Sequence, residues 1–187
     1  MKICPIAARL GRLCRSLLPL LLLFPALSHA DPQPGFGLAL ALAEHHADVS
    51  FNQAPFQVYN SHGAGLAGDA QFVINPNWSL DPYLEFAYEH SHGDVQTALI
   101  NASGGLMLRH WWQNVYVGPA LEYGVEGLLQ NQTVRRSSFG PGVGVGAGYE
   151  SPRGLTLGVQ LDAPQALYFS RDQRRSGVWL TLGYRWH

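Results

Sequence analysis

From residue 35 onward the chain alternates. Phe36, Leu38, Leu40 and Leu42 are interleaved with Gly37, Ala39, Ala41 and Ala43, and a period of two with unlike faces marks a β-strand. Further segments carry the same signature. Leu66, Ala70, Phe72 and Ile74 oppose Asp69 and Gln71 in a strand predicted from Ala64 to Ile74, and Leu84, Phe86 and Tyr88 oppose Asp81, Glu85 and Glu89 between Leu80 and His90. Val95 to Arg109 sets Ala98, Ile100, Ala102, Leu106 and Leu108 against Thr97, Asn101, Ser103 and Arg109. Val115 to Glu126 sets Val117, Leu121, Tyr123 and Val125 against Gly118, Glu122 and Glu126. From Phe139 to Tyr149 one face is apolar and the other is glycine at 140, 142, 144, 146 and 148. A seventh segment begins at Leu155, with Leu157, Val159 and Leu161 opposing Gly158, Gln160 and Asp162. The last places Val178, Leu180, Leu182, Tyr184 and Trp186 against Gly177, Trp179, Thr181, Gly183 and Arg185.

The connections alternate as well. Asn75-Pro76-Asn77, His110 to Asn114 and Ser151 to Gly154 read as short turns. Glu44 to Asn60, Ser91 to Asp94, Gly127 to Ser137 and Ala163 to Ser176 read as polar loops. Asp69, Glu85, Glu89, Arg109, Glu122, Glu126 and Arg185 all share the face of the glycines. A soluble barrel or sandwich would put its polar face outside and carry lysines there, and after Lys2 this chain has none. The pattern therefore predicts an all-β chain folded as an eight-stranded antiparallel up-and-down transmembrane β-barrel, apolar outside and small or polar inside, with short turns at one end and longer loops at the other. An even strand count brings both ends of the chain to the side of the short turns.

The last strand resembles the closing strand of bacterial outer-membrane β-barrel proteins, which end in an aromatic residue preceded by apolar residues at every second position. Val178, Leu180, Leu182, Tyr184 and Trp186 match, and the chain runs one residue further, to His187. In pattern the segment from residue 31 to 187 is similar throughout to the small eight-stranded bacterial outer-membrane β-barrel proteins. The resemblance implies a place in the cell outer membrane, contact with outer-membrane lipids and lipopolysaccharide, and an assembly signal at Tyr184 and Trp186 for the barrel-assembly machinery. Ala163-Pro164-Gln165-Ala166-Leu167-Tyr168-Phe169 also resembles an Ala-Pro-x-x-Leu-x-Phe run of YfaZ-type outer-membrane proteins.

The N-terminus fits this address. Lys2, Arg9, Arg12 and Arg15 precede an apolar run from Leu17 to Leu27, followed by Ser28-His29-Ala30. A basic segment, a short apolar core and small residues at a cleavage point predict a signal peptide over residues 1–30. Both cysteines, Cys4 and Cys14, fall within it, so the remaining domain of about 157 residues would hold no disulfide and no thiolate metal site. A formal net charge of −1 without a basic block excludes an electrostatic nucleic-acid surface. A monomer is expected.

Three constellations are candidates for chemistry. The inward acids and arginines predict a polar network filling a small barrel, with Asp69 and Glu85 near each other if the second and third strands pair across Asn75 to Ser79. A narrow cation path through the same acids is the alternative. His45, His46, His62, His90 and His92 flank the first two long loops, and imidazoles with nearby carboxylates suit Zn²⁺, Ni²⁺ or Cu²⁺. His90-Ser91-His92 is the adjacent Ser/His pairing a lipid A-modifying hydrolase would need, without the rest of such a motif. The reading is an integral outer-membrane protein with a structural or surface-interaction role, no catalytic residues and no cofactor. Its interaction loops would be residues 44 to 62, 127 to 137 and 163 to 176, and a narrow channel for small solutes or ions is the runner-up.

Overall fold

The computed structural model describes residues 32–49, 57–93, 98–130, 133–162 and 173–187. The candidate signal peptide and the Ala163 to Phe169 run lie outside them. The strands are β1 (Gly35–Val49), β2 (Gln57–Asn75), β3 (Trp78–Gly93), β4 (Ala98–Trp112), β5 (Val115–Gln130), β6 (Thr133–Glu150), β7 (Leu155–Asp162) and β8 (Gln173–Trp186). Each pairs with its sequence neighbours, and β1 pairs antiparallel with β8 from Phe36 opposite Trp186 to Val49 opposite Gln173, so the sheet closes into a barrel. Closure satisfies the backbone of the two end strands internally, as hydrocarbon requires.

The strand centres coincide with the alternating segments, but their ends run further. β1 continues past Ala43 to Val49 and β2 begins at Gln57, so much of the predicted Glu44 to Asn60 loop is paired strand. β5 and β6 likewise extend through most of Gly127 to Ser137, β3 reaches Gly93, and β8 starts at Gln173. Past the apolar belt the outward positions are polar too, so apolar-polar alternation lapses while backbone pairing goes on, with His45, Ser61 and Ser91 still buried inside. At the opposite end β4 reaches Trp112, and its link to β5 is confined to Gln113 and Asn114, with Gln113 at a φ of 58°. Trp111, read as part of that turn, points into the barrel and donates from Nε1 to Ser79 Oγ at 2.9 Å.

The outward face is apolar and exposed: Phe36 70%, Leu40 68%, Leu84 72% and Leu121 65%. In water, leaving so many large apolar side chains uncovered would forfeit roughly 1.5–3 kcal/mol each. In lipid the same face is solvated. On β3 the outward apolar run from Leu80 to Tyr88 spans about 27 Å along the strand, or about 21 Å of membrane thickness at a tilt near 40°. Tyr184 and Trp186 close this belt at the end where the short turns lie, their rings 5.2 Å apart. Leu40→Arg, near the middle of the belt, should destabilise the barrel by about 2–4 kcal/mol, measured by urea titration in lipid vesicles. The same substitution at inward Ala41 should not follow this membrane-depth dependence.

Glycine and alanine on one part of the inner wall make room for bulk on another. A Cβ at Gly148 would stand 2.5 Å from the Tyr116 hydroxyl, and one at Gly146 would collide with the thioether of Met107. The glycine face of β6 is thus a trough filled from β4 and β5. Tyr83, Met107, Trp111, Tyr116 and Ala120 form one buried cluster, and Trp179 with Ala41, Ala43 and Ala87 forms a second.

Candidate functional site in the barrel interior and at its rims

Near the short-turn end, two guanidinium groups organise the interior. Arg109 on β4 reaches Asp69 Oδ2 at 2.8 Å and Asp81 Oδ2 at 2.5 Å, while its guanidinium lies 4.3 Å from the centre of the Tyr116 ring. Arg185 on β8 meets Asp69 Oδ2 at 2.5 Å and Glu150 Oε2 at 3.0 Å, and donates to Gln71 Oε1. His187 Nε2 lies 3.0 Å from Glu150 Oε1, which gives the residue beyond the terminal aromatic a partner. Side chains from β2, β3, β4, β6 and β8 are cross-linked across the lumen. Three buried or half-buried carboxylates share two guanidiniums, and such charges are tolerable only with partners of this quality.

Towards the long-loop end the acids are held differently. Glu89 accepts from Ser61 Oγ at 2.5 Å on Oε2 and from Asn101 Nδ2 at 2.6 Å on Oε1, with His45 Nδ1 2.8 Å from Oε1 and 3.0 Å from Oε2. Glu85 accepts from Ser103 Oγ at 3.1 Å. Gln160 Nε2 donates to Glu122 Oε2 at 3.3 Å and Asp162 Oδ1 at 3.1 Å, and Tyr83 Oη donates to Glu122 Oε2 at 3.3 Å. Trp179 Nε1 donates to Asp162 Oδ2 at 2.9 Å. Glu126 is buried on the same wall, opposite Asn101 in register. In the bonds named here, neutral donors and one imidazole do at this end what guanidinium does at the other.

Asp69, Glu85, Glu89, Arg109, Glu122, Glu126 and Arg185 therefore all lie inside the barrel. Asp69 and Glu85 are diagonal neighbours on the inner face, Asp69 opposite Tyr83 and Glu85 opposite Ala67, and Asp69 is bound by the arginines of the second-neighbour strands β4 and β8. Asp81, Tyr83, Glu150, Gln160 and Asp162 join the network without having been singled out for it. Parity already puts Asp81, Gln160 and Asp162 on the inner face, Tyr83 shares the face of Glu85, and Glu150 continues the glycine face of β6.

The five histidines do not converge. His45 is buried in the lumen against Glu89 and edge-on to Trp179 at 5.2 Å, whereas His46, His62, His90 and His92 lie on the outer face. Neighbours along a strand point opposite ways, so a ligand set drawing on both His45 and His46 is broken by the wall itself. Among the described residues no three histidine or acidic groups are placed to hold one metal ion. The same parity separates His90-Ser91-His92: Ser91 is buried inside while both histidines are exposed outside, so Ser91 does not pair with either of them.

No family model matches the sequence, and neither does any curated protein sequence. Solved structures do match. The crystal structure of Ail, the attachment invasion locus protein of Yersinia pestis, in complex with the heparin analogue sucrose octasulfate, superposes with a TM-score of 0.57 at 13% identity, covering 83% of this chain and 100% of that one. Neisserial surface protein A matches with a TM-score of 0.52 at 14% identity, covering 81% of this chain and 97% of that one. The fold is that of the small eight-stranded outer-membrane β-barrels. With identities this low the likeness concerns the path of the backbone, and the interior of this barrel has to be read from its own side chains.

Proposed function

We propose that the chain is an integral outer-membrane protein whose filled barrel serves as a membrane anchor for the strand ends and loops that rise from it, with a structural or surface-interaction role and no catalytic step. The observation that carries this reading is the occupied lumen. Between the arginine network and the upper acids the central cavity, lined by Asp69, Tyr83, Met107, Arg109, Tyr116 and Arg185 among others, has a volume of about 60 Å³. That is room for a few waters and not for a solute. Asp69, Tyr83, Arg109 and Arg185 among them are bonded to groups on other strands, so these four cannot swing aside without breaking those bonds. Outer-membrane lipids with lipopolysaccharide, and the barrel-assembly machinery acting on Tyr184 and Trp186, are the partners this reading requires. The solved complex of Ail with a sulfated ligand supports it to the extent that a barrel of this shape serves there as a binding surface.

The inward acids favour a second reading, a narrow cation path. Planar-bilayer recording separates the two. The purified protein should insert without discrete current steps in molar potassium chloride. Regular cation-selective steps would replace the anchor reading with the channel.

A further inference from the structure

Two of the outward histidines stand together. His62 on β2 is opposite His90 on β3, and His92 is opposite Asn60, so His62 and His92 are diagonal neighbours on the outer face of one sheet. Diagonal positions lie within reach of aromatic side chains, and here the two ring centres are 4.7 Å apart, with the planes inclined by 31°. Both side chains are exposed. The backbone beneath them is paired strand and not loop: the intervening Ser61 and Ser91 lie opposite each other in register and are buried on the inner face.

That spacing is the one two imidazoles adopt when they share a metal ion. A ring nitrogen binds a first-row divalent ion at about 2.0–2.1 Å, and the ring centre lies roughly 1.1 Å further along the same line. Two rings at neighbouring coordination positions, roughly 90–110° apart, therefore have centres about 4.5–5 Å apart. His92 has its tautomer set as well. Its Nδ1 lies 3.3 Å from the carbonyl oxygen of His90, which can only accept, so the proton is on Nδ1 and the lone pair on Nε2 is left for a metal. The neighbouring imidazoles are engaged elsewhere: His90 stands edge-on to Tyr88 at 5.2 Å, and His46 Nδ1 lies 2.8 Å from Asn60 Oδ1. Glu44 is opposite His62 on β1, yet among the described residues no three such groups are placed around one ion.

We infer that His62 and His92 form a two-imidazole site for a divalent copper ion on the outer wall, with the remaining coordination positions taken by water or by a ligand from outside. Nitrogen sites hold copper(II) more tightly than the other first-row divalent ions, and its tetragonal preference is met by two adjacent imidazoles and oxygen ligands. A structural zinc centre takes four protein ligands, more than this pair supplies. Two exposed ligands and several exchangeable positions suit reversible capture of an ion and not the locking of a fold. Neutral imidazole is the ligand, so neither ring needs to carry charge. The site requires only the pairing of β2 with β3 and stands apart from the anchor reading.

The test uses the purified folded protein, without a polyhistidine tag, in detergent at neutral pH. It is titrated with copper(II) and separately with zinc(II), followed by equilibrium binding and by electron paramagnetic resonance of the copper form. The tightest copper ion should bind one per chain, about tenfold or more tightly than zinc, and show coupling to two imidazole nitrogens. H62Q and H92Q should each weaken copper binding by about tenfold or more and reduce the coupling to one imidazole, while H90Q leaves affinity and spectrum unchanged. All three should keep heat-modifiable migration in gels, and the nitrogen count in the unaltered protein needs no substitution. Copper binding that survives in H62Q/H92Q, a spectrum with one imidazole or none, zinc held as tightly as copper, or an equal loss in H90Q would each overturn the inference.

Discussion

Arg109→Met should destabilise the folded barrel by about 3–5 kcal/mol, the cost of removing one partner from a buried ion pair. The substitution preserves most of the side-chain volume, so packing against Tyr116 is largely kept and the loss is electrostatic. Asp81 is fully buried with Arg109 Nη1 at 2.5 Å, and its other guanidinium, Arg185 Nη1, is 4.0 Å away. Without Arg109 that carboxylate faces the lumen with one distant cation. Asp81→Asn in the same background removes the stranded charge and should recover a substantial part of the loss. A double-mutant cycle on urea unfolding in vesicles gives the coupling directly. Strictly additive effects would show that the pair contributes nothing to stability.

A comparable loss is expected at the other end of the lumen. Trp179→Ala should cost about 3–5 kcal/mol, because the indole is the largest fully buried side chain among the described residues and it packs on Ala41, Ala43 and Ala87, which are too small to move into the space. Trp179→Phe separates packing from hydrogen bonding. It retains most of the ring and loses the Nε1–H that Asp162 Oδ2 accepts at 2.9 Å, for a cost of about 1–1.5 kcal/mol. The temperature at which the compact gel band gives way to the unfolded one reports both. If the two variants melt together, the indole is held for its hydrogen bond and not for its bulk.

The barrel was legible because its two faces have opposite requirements over the thickness of the membrane. Wherever lipid lies on one side, parity assigns each residue, so Leu40 and Arg109 could be placed outside and inside from the chain alone. The assignment weakened where the outward positions turn polar as well. Glu44 to Val49 has no apolar alternation, yet it is paired to Gln57 to His62 residue by residue. Reading that stretch as loop is what grouped His45 with His46. Parity also named the inward charges without naming their partners. Asp69 meets Arg109 and Arg185 from strands that are not its sheet neighbours, and alternation along one strand does not encode a contact made over the strand between. Glu150 was passed over because it stands at the margin of its alternating segment, beside Ser151.

The two strands that close the barrel have an inner face almost bare of side chains. Gly37, Ala39, Ala41 and Ala43 on β1 lie opposite Arg185, Gly183, Thr181 and Trp179 on β8, and a Cβ at Gly183 would already strike Ala39. Only the arginine and the tryptophan at the two ends of this stretch project far. When the first and last strands meet, they can zip from either end with little to thread past, while the interlocked groups of β3, β4 and β5 demand ordered packing. The smooth seam places the steric difficulty of folding in the middle of the chain and leaves the final act of closure to backbone hydrogen bonds.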